Sequence, residues 1–178
     1  MIVALPLMAL IALAILVCDG RPVLYRQTRV GKHGRIFRIW KFRTMCRHAE
    51  STTGVVWSSE GDPRVTTLGH WLRCSHLDEL PQFFNVLLGD MSLVGPRPLP
   101  VSDYRRMKEE DALGGYFRQR TQSKPGMTGL WQISGRSDIG FREMVLLDLY
   151  YIENQSILYD LEILAQTVPV VLFGKGAY

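Results

Sequence analysis

Two adjacent carboxylates, Asp78 and Glu79, stand in "SHLDELPQFFNVLLGDMSLVGPRP" (residues 75–98), just before a proline and an apolar run that closes on a rigid Gly-Pro-Arg-Pro. An ionised carboxylate is a nucleophile or a ligand for a hard divalent cation, and guanidinium groups beside it offset the charge of a phosphate. An isolated Asp-Glu-x-Pro is more often a helix start, because Asp caps and Glu is welcome in the first turn. The company of the pair shifts the weighing towards chemistry. Arg73 precedes it, and Arg97 is held between Pro96 and Pro98, an arrangement suited to a phosphate-containing substrate with a divalent metal.

Those carboxylates need elements to place them. Leu80, Phe83, Phe84 and Leu87 fall on one stripe at helical spacing, which predicts an amphipathic helix after the pair. Pro81 limits where that helix starts: with Asp78 as the cap, the proline takes the third helical position, where no donor is needed. Asp78 is then expected at the helix N-terminus, where the dipole and free N–H groups favour its ionised form.

The surrounding charge is uneven. The chain of 178 residues carries a net +4, and Arg21, Arg26, Arg29, Lys32, Arg35, Arg38, Lys41, Arg43 and Arg47 all precede Glu50. That stretch suits an anionic partner, and sign alone does not choose among nucleic acid, lipid headgroups and substrate phosphates. A nucleic-acid module would be expected to show a recognised binding motif, and none is present. The three cysteines, Cys18, Cys46 and Cys74, show neither close pairing nor metal spacing, which argues for a reducing compartment without disulfide or zinc.

"MIVALPLMALIALAILVCDGRP" is apolar from Met1 to Val17, short for a bilayer crossing and interrupted by Pro6. No polar face appears over several turns, so a membrane-embedded segment is favoured over a core helix. The adjoining cations mark the cytoplasmic side and attract anionic lipids. "PVLYRQTRVGKHGRIFRIWKFRTM" predicts a basic β-hairpin around Gly-Lys-His-Gly, with Lys41 and Arg43 on one face, opposite Trp40 and Phe42. Residues 49–64 read as a loop with a turn at Asp62-Pro63, and "VTTLGHWLRC" reads as a helix. "SDYRRMKEEDAL" predicts a charged helix ended by Gly114-Gly115, "SKPGMTGLWQISGR" is turn-rich, and two apolar-faced helices close the chain. The expected fold is α+β and mainly helical, with a small basic β-hairpin and an N-terminal membrane-embedded, re-entrant helix. Residues 1–20 form the membrane segment and residues 21–178 the catalytic domain.

Taken together, "KFRTM", "DPRVTTLGHWLR", "LDELPQFFNVLLGDMSLVGPRP", "KPGMTGLWQISGR", "LDLYYIEN" and the terminal "GKGAY" resemble, in order, the bacterial sugar transferases that are monotopic phosphoglycosyl transferases. The resemblance covers nearly the whole chain. It implies transfer of a sugar phosphate from a UDP-sugar, glucose or galactose by the look of "QISGR" and "GKGAY", to polyprenyl phosphate. The reaction would occur on the cytoplasmic face of the bacterial inner membrane, begin assembly of a surface glycan and need Mg²⁺. Asp78 would be the nucleophile, Glu79 would help it bind the metal, and Lys41, Arg43, Arg73 and Arg97 would contact phosphate or the enzyme's own acids. Gln132 and Arg136 would line the nucleotide or sugar pocket, with Asp90 and Asp148 as partners for the cations. Membrane lipids are expected partners and nucleic acid is not; homo-oligomerisation is left open. Cys74 and His76 depart from the family's usual residues around the pair. The family also completes a helix-break-helix element ahead of Pro6, which implies a shortened start here or the catalytic end of a longer form. The rival reading is a non-catalytic basic membrane adaptor.

Overall fold

The structure, a computed structural model, describes residues 4–49, 61–109, 114–135 and 139–173. Its first element, α1 (Ala4–Cys18), is apolar all round. Met8, Ile11 and Ile15, at helical spacing, are buried against Phe42 and Leu72, while Leu5, Leu10, Leu13 and Val17 face outward. Only Ala4 and Leu5 of the described helix precede Pro6, so the break expected there falls at the edge of the described residues. Among the described residues no helix is long and apolar enough to cross a membrane.

The expected hairpin forms from β1 (Leu24–Val30) and β2 (Ile36–Phe42), antiparallel and in register from Leu24 opposite Phe42 to Val30 opposite Ile36. Strand alternation buries Phe37 and Ile39 and turns Lys41 to the same inner face. On the other face the Arg26 guanidinium stacks 3.7 Å from the Trp40 ring centre, which uses one cation of the basic stretch within the hairpin itself.

After the hairpin come α2 (Thr67–Cys74), a single 3₁₀ turn (Leu77–Glu79), α3 (Gln82–Leu87), β3 (Ser92–Val94), α4 (Val101–Glu109), α5 (Gly114–Arg120), β4 (Gly126–Thr128), α6 (Leu130–Ser134), α7 (Phe141–Asn154) and α8 (Ile157–Phe173). Two expectations change. Gly114 and Gly115 are themselves helical, within α5, and the turn-rich "SKPGMTGLWQISGR" contains β4 and α6. β4 pairs in parallel with β3, Ser92 opposite Gly126 and Val94 opposite Thr128. Strands of three residues carry too little alternation to be read from sequence. Such a close crossing needs glycine, since a Cβ on Gly126 would lie 2.1 Å from Gly95 N. The architecture is α+β and mainly helical. One cluster joins Val30, Leu99, Tyr104 and Trp131 to Met144, Val145 and Leu149 of α7, and another joins α1 to Phe42 and Leu72.

Candidate active site

The chain enters the carboxylate pair through a corner. His76 adopts the left-handed conformation, φ +55°, between the end of α2 and the 3₁₀ turn that carries Asp78 and Glu79. The predicted cap is therefore displaced. Pro81, at φ −61° and without an N–H, is itself the residue that precedes α3, so the helix begins after the pair rather than at Asp78. The carboxylates owe their position to the tighter turn.

Asp78 is buried, and burial raises its pKa to about 6, with Lys41 opposing and Glu79 adding to the rise. The expectation that a helix dipole favours its ionised form gives way to desolvation. Glu79 goes the other way: burial disfavours its charge, but Lys41 and Arg97 hold it below the usual carboxylate range. Lys41 Nζ donates to Glu79 Oε1 at 2.6 Å and stands 4.0 Å from Asp78 Oδ2, while Arg97 Nη2 lies 3.9 Å from Glu79 Oε1. Neighbouring carboxylates thus have divergent proton affinities, an arrangement that suits different chemical roles.

Arg73 completes the cationic wall. Its Nε donates to Thr44 Oγ1 at 2.8 Å, burial lowers its pKa, and Asp78 opposes that shift. Its approach depends on Gly69, because a Cβ there would lie 2.0 Å from Thr44 O. Thr66 anchors the same helix, its Oγ1 accepting from Gly69 N–H at 2.9 Å. Lys41 is placed from the opposite direction by Asn85 of α3. The Asn85 amide accepts from Trp40 N–H at 3.0 Å and donates to Arg38 O at 2.8 Å, so one fully buried side chain pairs with β2 as a strand would.

The other predicted residues are placed differently. Arg43 follows β2 and turns away from the pair, donating to Arg21 O at 2.9 Å, Asp19 O at 2.7 Å and Gly20 O at 2.8 Å. It secures the chain leaving α1, because strand alternation ends at Phe42 and no longer holds it beside Lys41. Gln132 is buried in α6 with Nε2 3.5 Å from Met127 O. Its neighbour Trp131 is the residue of that motif that meets the cationic wall, with the Arg97 guanidinium 5.1 Å from its ring centre. Asp148 pairs with Arg120, Oδ2 to Nη2 at 2.5 Å, and of the cations expected for it Arg97 adds a weaker electrostatic attraction. Asp90 lies in the turn after α3, its N–H donating to Asn85 O at 3.0 Å. Arg136 and the terminal "GKGAY" lie outside the described residues, as does most of the 49–64 loop. Within the described part of that loop, the Asp62-Pro63 turn is present, Asp62 Oδ1 accepting from Arg64 N–H at 3.0 Å.

Sequence reasoning missed Asn85, Thr44, Trp131 and Arg120 as parts of this arrangement. Only Asn85 carried a usable signal, a lone amide inside the apolar run "FFNVLL". Among the described residues no group of three or more His, Cys, Asp or Glu could hold a metal. Adjacent Asp78 and Glu79 still suit Mg²⁺, which commonly takes one or two carboxylates and completes its shell with water and substrate phosphates.

The model of the family described as "Bacterial sugar transferase" matches residues 1–174. The chain belongs to that family. This bacterial sugar transferase is 46% identical over 170 residues to the galactosyl transferase CpsE of Streptococcus agalactiae, covering 89% of this chain and 36% of that protein. It is 42% identical over 181 residues to the UDP-glucose:undecaprenyl-phosphate glucose-1-phosphate transferase of Escherichia coli, covering 97% of this chain and 38% of that one. The exopolysaccharide production protein ExoY of Rhizobium meliloti is 38% identical over 187 residues, covering 97% of this chain and 80% of ExoY. The chain spans little more than a third of the length of the first two relatives and most of the third.

Proposed function

We propose that this sugar transferase moves a sugar 1-phosphate, glucose or galactose, from a UDP-sugar to polyprenyl phosphate on the cytoplasmic face of the bacterial inner membrane, initiating a surface polysaccharide. The observation that carries the reading is a buried Asp78 faced by Lys41 and Arg73, beside a Glu79 held ionised by Lys41 and Arg97. Names of relatives agree: one is called an undecaprenyl-phosphate galactose phosphotransferase and another a glucose-1-phosphate transferase.

In the first half-reaction an Asp78 oxygen attacks the phosphorus that bears the sugar. The bond from that phosphorus to the bridging oxygen breaks, and UMP leaves with the electron pair. The sugar phosphate is then held as an aspartyl acyl phosphate. In the second half-reaction a polyprenyl phosphate oxygen attacks the same phosphorus, the bond between the Asp78 oxygen and phosphorus breaks, and the carboxylate is regenerated. Lys41, Arg73 and Arg97 offset the negative charge that gathers on the phosphoryl oxygens. Mg²⁺ held by Glu79 and Asp78 would neutralise phosphate charge and lessen repulsion between attacker and anion.

Embedding in a single leaflet fits the same reading. The outward leucines of α1 favour an apolar surrounding, with the basic hairpin at the headgroups. A basic membrane adaptor would need α1 and the hairpin but gives no reason to bury Asp78 beside Glu79.

UMP release from a panel of UDP-sugars by membrane-reconstituted protein decides between them. The enzyme reading expects release with at least one UDP-sugar and none with Asp78→Asn, which keeps the shape and loses the nucleophile. Wild-type turnover in Asp78→Asn would remove the covalent role, and no release by the wild type would favour the adaptor.

A further inference from the structure

Four consecutive main-chain carbonyls around the Gly-Pro-Arg-Pro motif are each held by a different donor. Pro96 O accepts from Gly126 N–H at 2.9 Å and Leu99 O from Val30 N–H at 3.1 Å. Between them, Arg97 O accepts from Arg120 Nη2 at 2.5 Å and Pro98 O from Arg29 Nη1 at 3.1 Å. Pro96 and Pro98 fix φ on either side of Arg97 and supply no donor of their own, so these carbonyl contacts carry the orientation of the segment.

Two of the donors are charged side chains, Arg29 and Arg120. Arg120 is fully buried, with Nε and Nη2 on Asp148 Oδ2 at 2.9 and 2.5 Å and Nη1 on Tyr104 Oη at 2.5 Å. One buried guanidinium thus joins Asp148 and Tyr104 to the main-chain carbonyl of Arg97. A buried ion pair is weak evidence for stability, since apolar residues of similar volume often replace one without loss. Its position here has a different consequence. Arg97 extends from the clamped backbone over Trp131 to within 3.9 Å of Glu79 Oε1.

We propose that Arg29, Arg120 and Asp148 are positioning residues: by gripping the main chain at Arg97 and Pro98 they preset the Arg97 guanidinium beside Glu79 before substrate binds. A guanidinium held in place meets a phosphate without the cost of ordering a long side chain, which is greatest for residues such as Arg. That the phosphate belongs to a sugar-nucleotide donor rests on the function proposed above; the presetting itself does not.

The test follows the Arg97 side chain directly. In the full chain, ¹⁵N-arginine labelled and in detergent micelles, the Arg97 Nε–H signal is assigned by its loss in Arg97→Ala. Its order parameter is expected near 0.8 in the wild type and below about 0.6 in Arg29→Met and in the charge-free pair Arg120→Met with Asp148→Leu. UMP release then supplies a double-mutant cycle. Either variant should lower kcat/KM roughly 30-fold with Arg97 present and less than about 3-fold in an Arg97→Ala background, because residues acting through one another do not add. A merely structural role would give equal losses in both backgrounds. Equal losses, or an unchanged Arg97 order parameter in the variants, overturn the proposal. Arg29 is less buried than Arg120 and Asp148, so Arg29→Met keeps the test decisive if the buried pair does not fold without its charges. If the wild type releases no UMP, the proposed function fails and the order parameter alone decides the presetting.

Discussion

At the scale of single residues, Asp78 and Glu79 share a turn and a cation but differ in how firmly each holds its proton. Asp78 titrates near 6, raised by burial. Between about pH 4 and pH 6 the folded, metal-free chain therefore binds more protons at this site than the unfolded chain, so the site's contribution to stability falls as pH rises. A rise of about two units corresponds to roughly 3 kcal/mol above pH 6. Asp78→Asn, assayed by denaturant unfolding in EDTA, should thus be about 1–3 kcal/mol more stable than wild type at pH 7.5, with the difference shrinking to near zero at pH 4. A variant no more stable than wild type at pH 7.5 would mean that Lys41 and Arg73 outweigh burial. Glu79 has the opposite sign: its depressed pKa contributes stability above the ordinary carboxylate range that is lost as pH falls through the folded value. Glu79→Gln should be less stable than wild type at neutral pH and should raise the Mg²⁺ concentration for half-maximal UMP release about tenfold or more. An unchanged Mg²⁺ requirement would leave Glu79 as a partner for Lys41 alone.

At the scale of elements, the site is a meeting of α2, the 3₁₀ turn, α3 and β2, and the joints are small. Gly69 lets α2 lie against Thr44, and an added Cβ would meet backbone atoms on which no rotamer change can relieve the clash. Gly69→Ala is expected to lower stability by about 1–3 kcal/mol, the usual range for overpacking, and to reduce kcat by moving Arg73 away from Asp78. Thermal unfolding beside UMP kinetics would show whether the two effects travel together. The joint between α3 and β2 is polar. Asn85→Ala removes the partners of Trp40 N–H and Arg38 O and leaves both backbone groups without their side-chain bonds, at a cost of about 1–3 kcal/mol each. Asn85→Leu, which also removes the amide, should do no better, and full activity in either variant would show that Lys41 is placed without Asn85.

At the scale of the molecule, one side of α1 belongs to the protein and the rest has no polar residue to offer water. Leu10 is 65% exposed and Val17 75%, and Trp71 of α2, at 72%, adds apolar surface outside the core. A protein embedded through this surface should resist extraction by high salt, because screening weakens the basic hairpin's attraction to lipid and leaves apolar burial intact. Cysteines placed near the two ends, in a background lacking Cys18, Cys46 and Cys74, should label from the same side of sealed, oriented vesicles. Labels on opposite faces would establish a crossing, and clean release by salt would establish peripheral binding. Pro6→Ala should leave the labelling unchanged, since it alters none of the outward leucines of α1.

Much of the fold was legible wherever a pattern runs long enough to repeat. The hairpin, α2, α7 and α8 follow from periodicity, α1 follows from an unbroken apolar run, and the Asp78–Glu79 pair with Arg73 and Arg97 follows from residue type and local spacing. What local pattern could not carry was every placement made by residues distant in the chain. Alternation put Lys41 and Arg43 together, but Arg43 answers to the carbonyls leaving α1. Proline chemistry suggested a cap at Asp78, but the proline itself starts α3 and the carboxylates fall in a turn. Asp148 and Arg120 lie 28 residues apart, and only packing buries them together. Local sequence determines which segments are helix or strand and which groups are chemically able, because those depend on neighbours a few bonds away. Which charge faces which, and how strongly each carboxylate holds its proton, was decided only in three dimensions, because desolvation and Coulomb contacts are set by what the folded chain brings alongside.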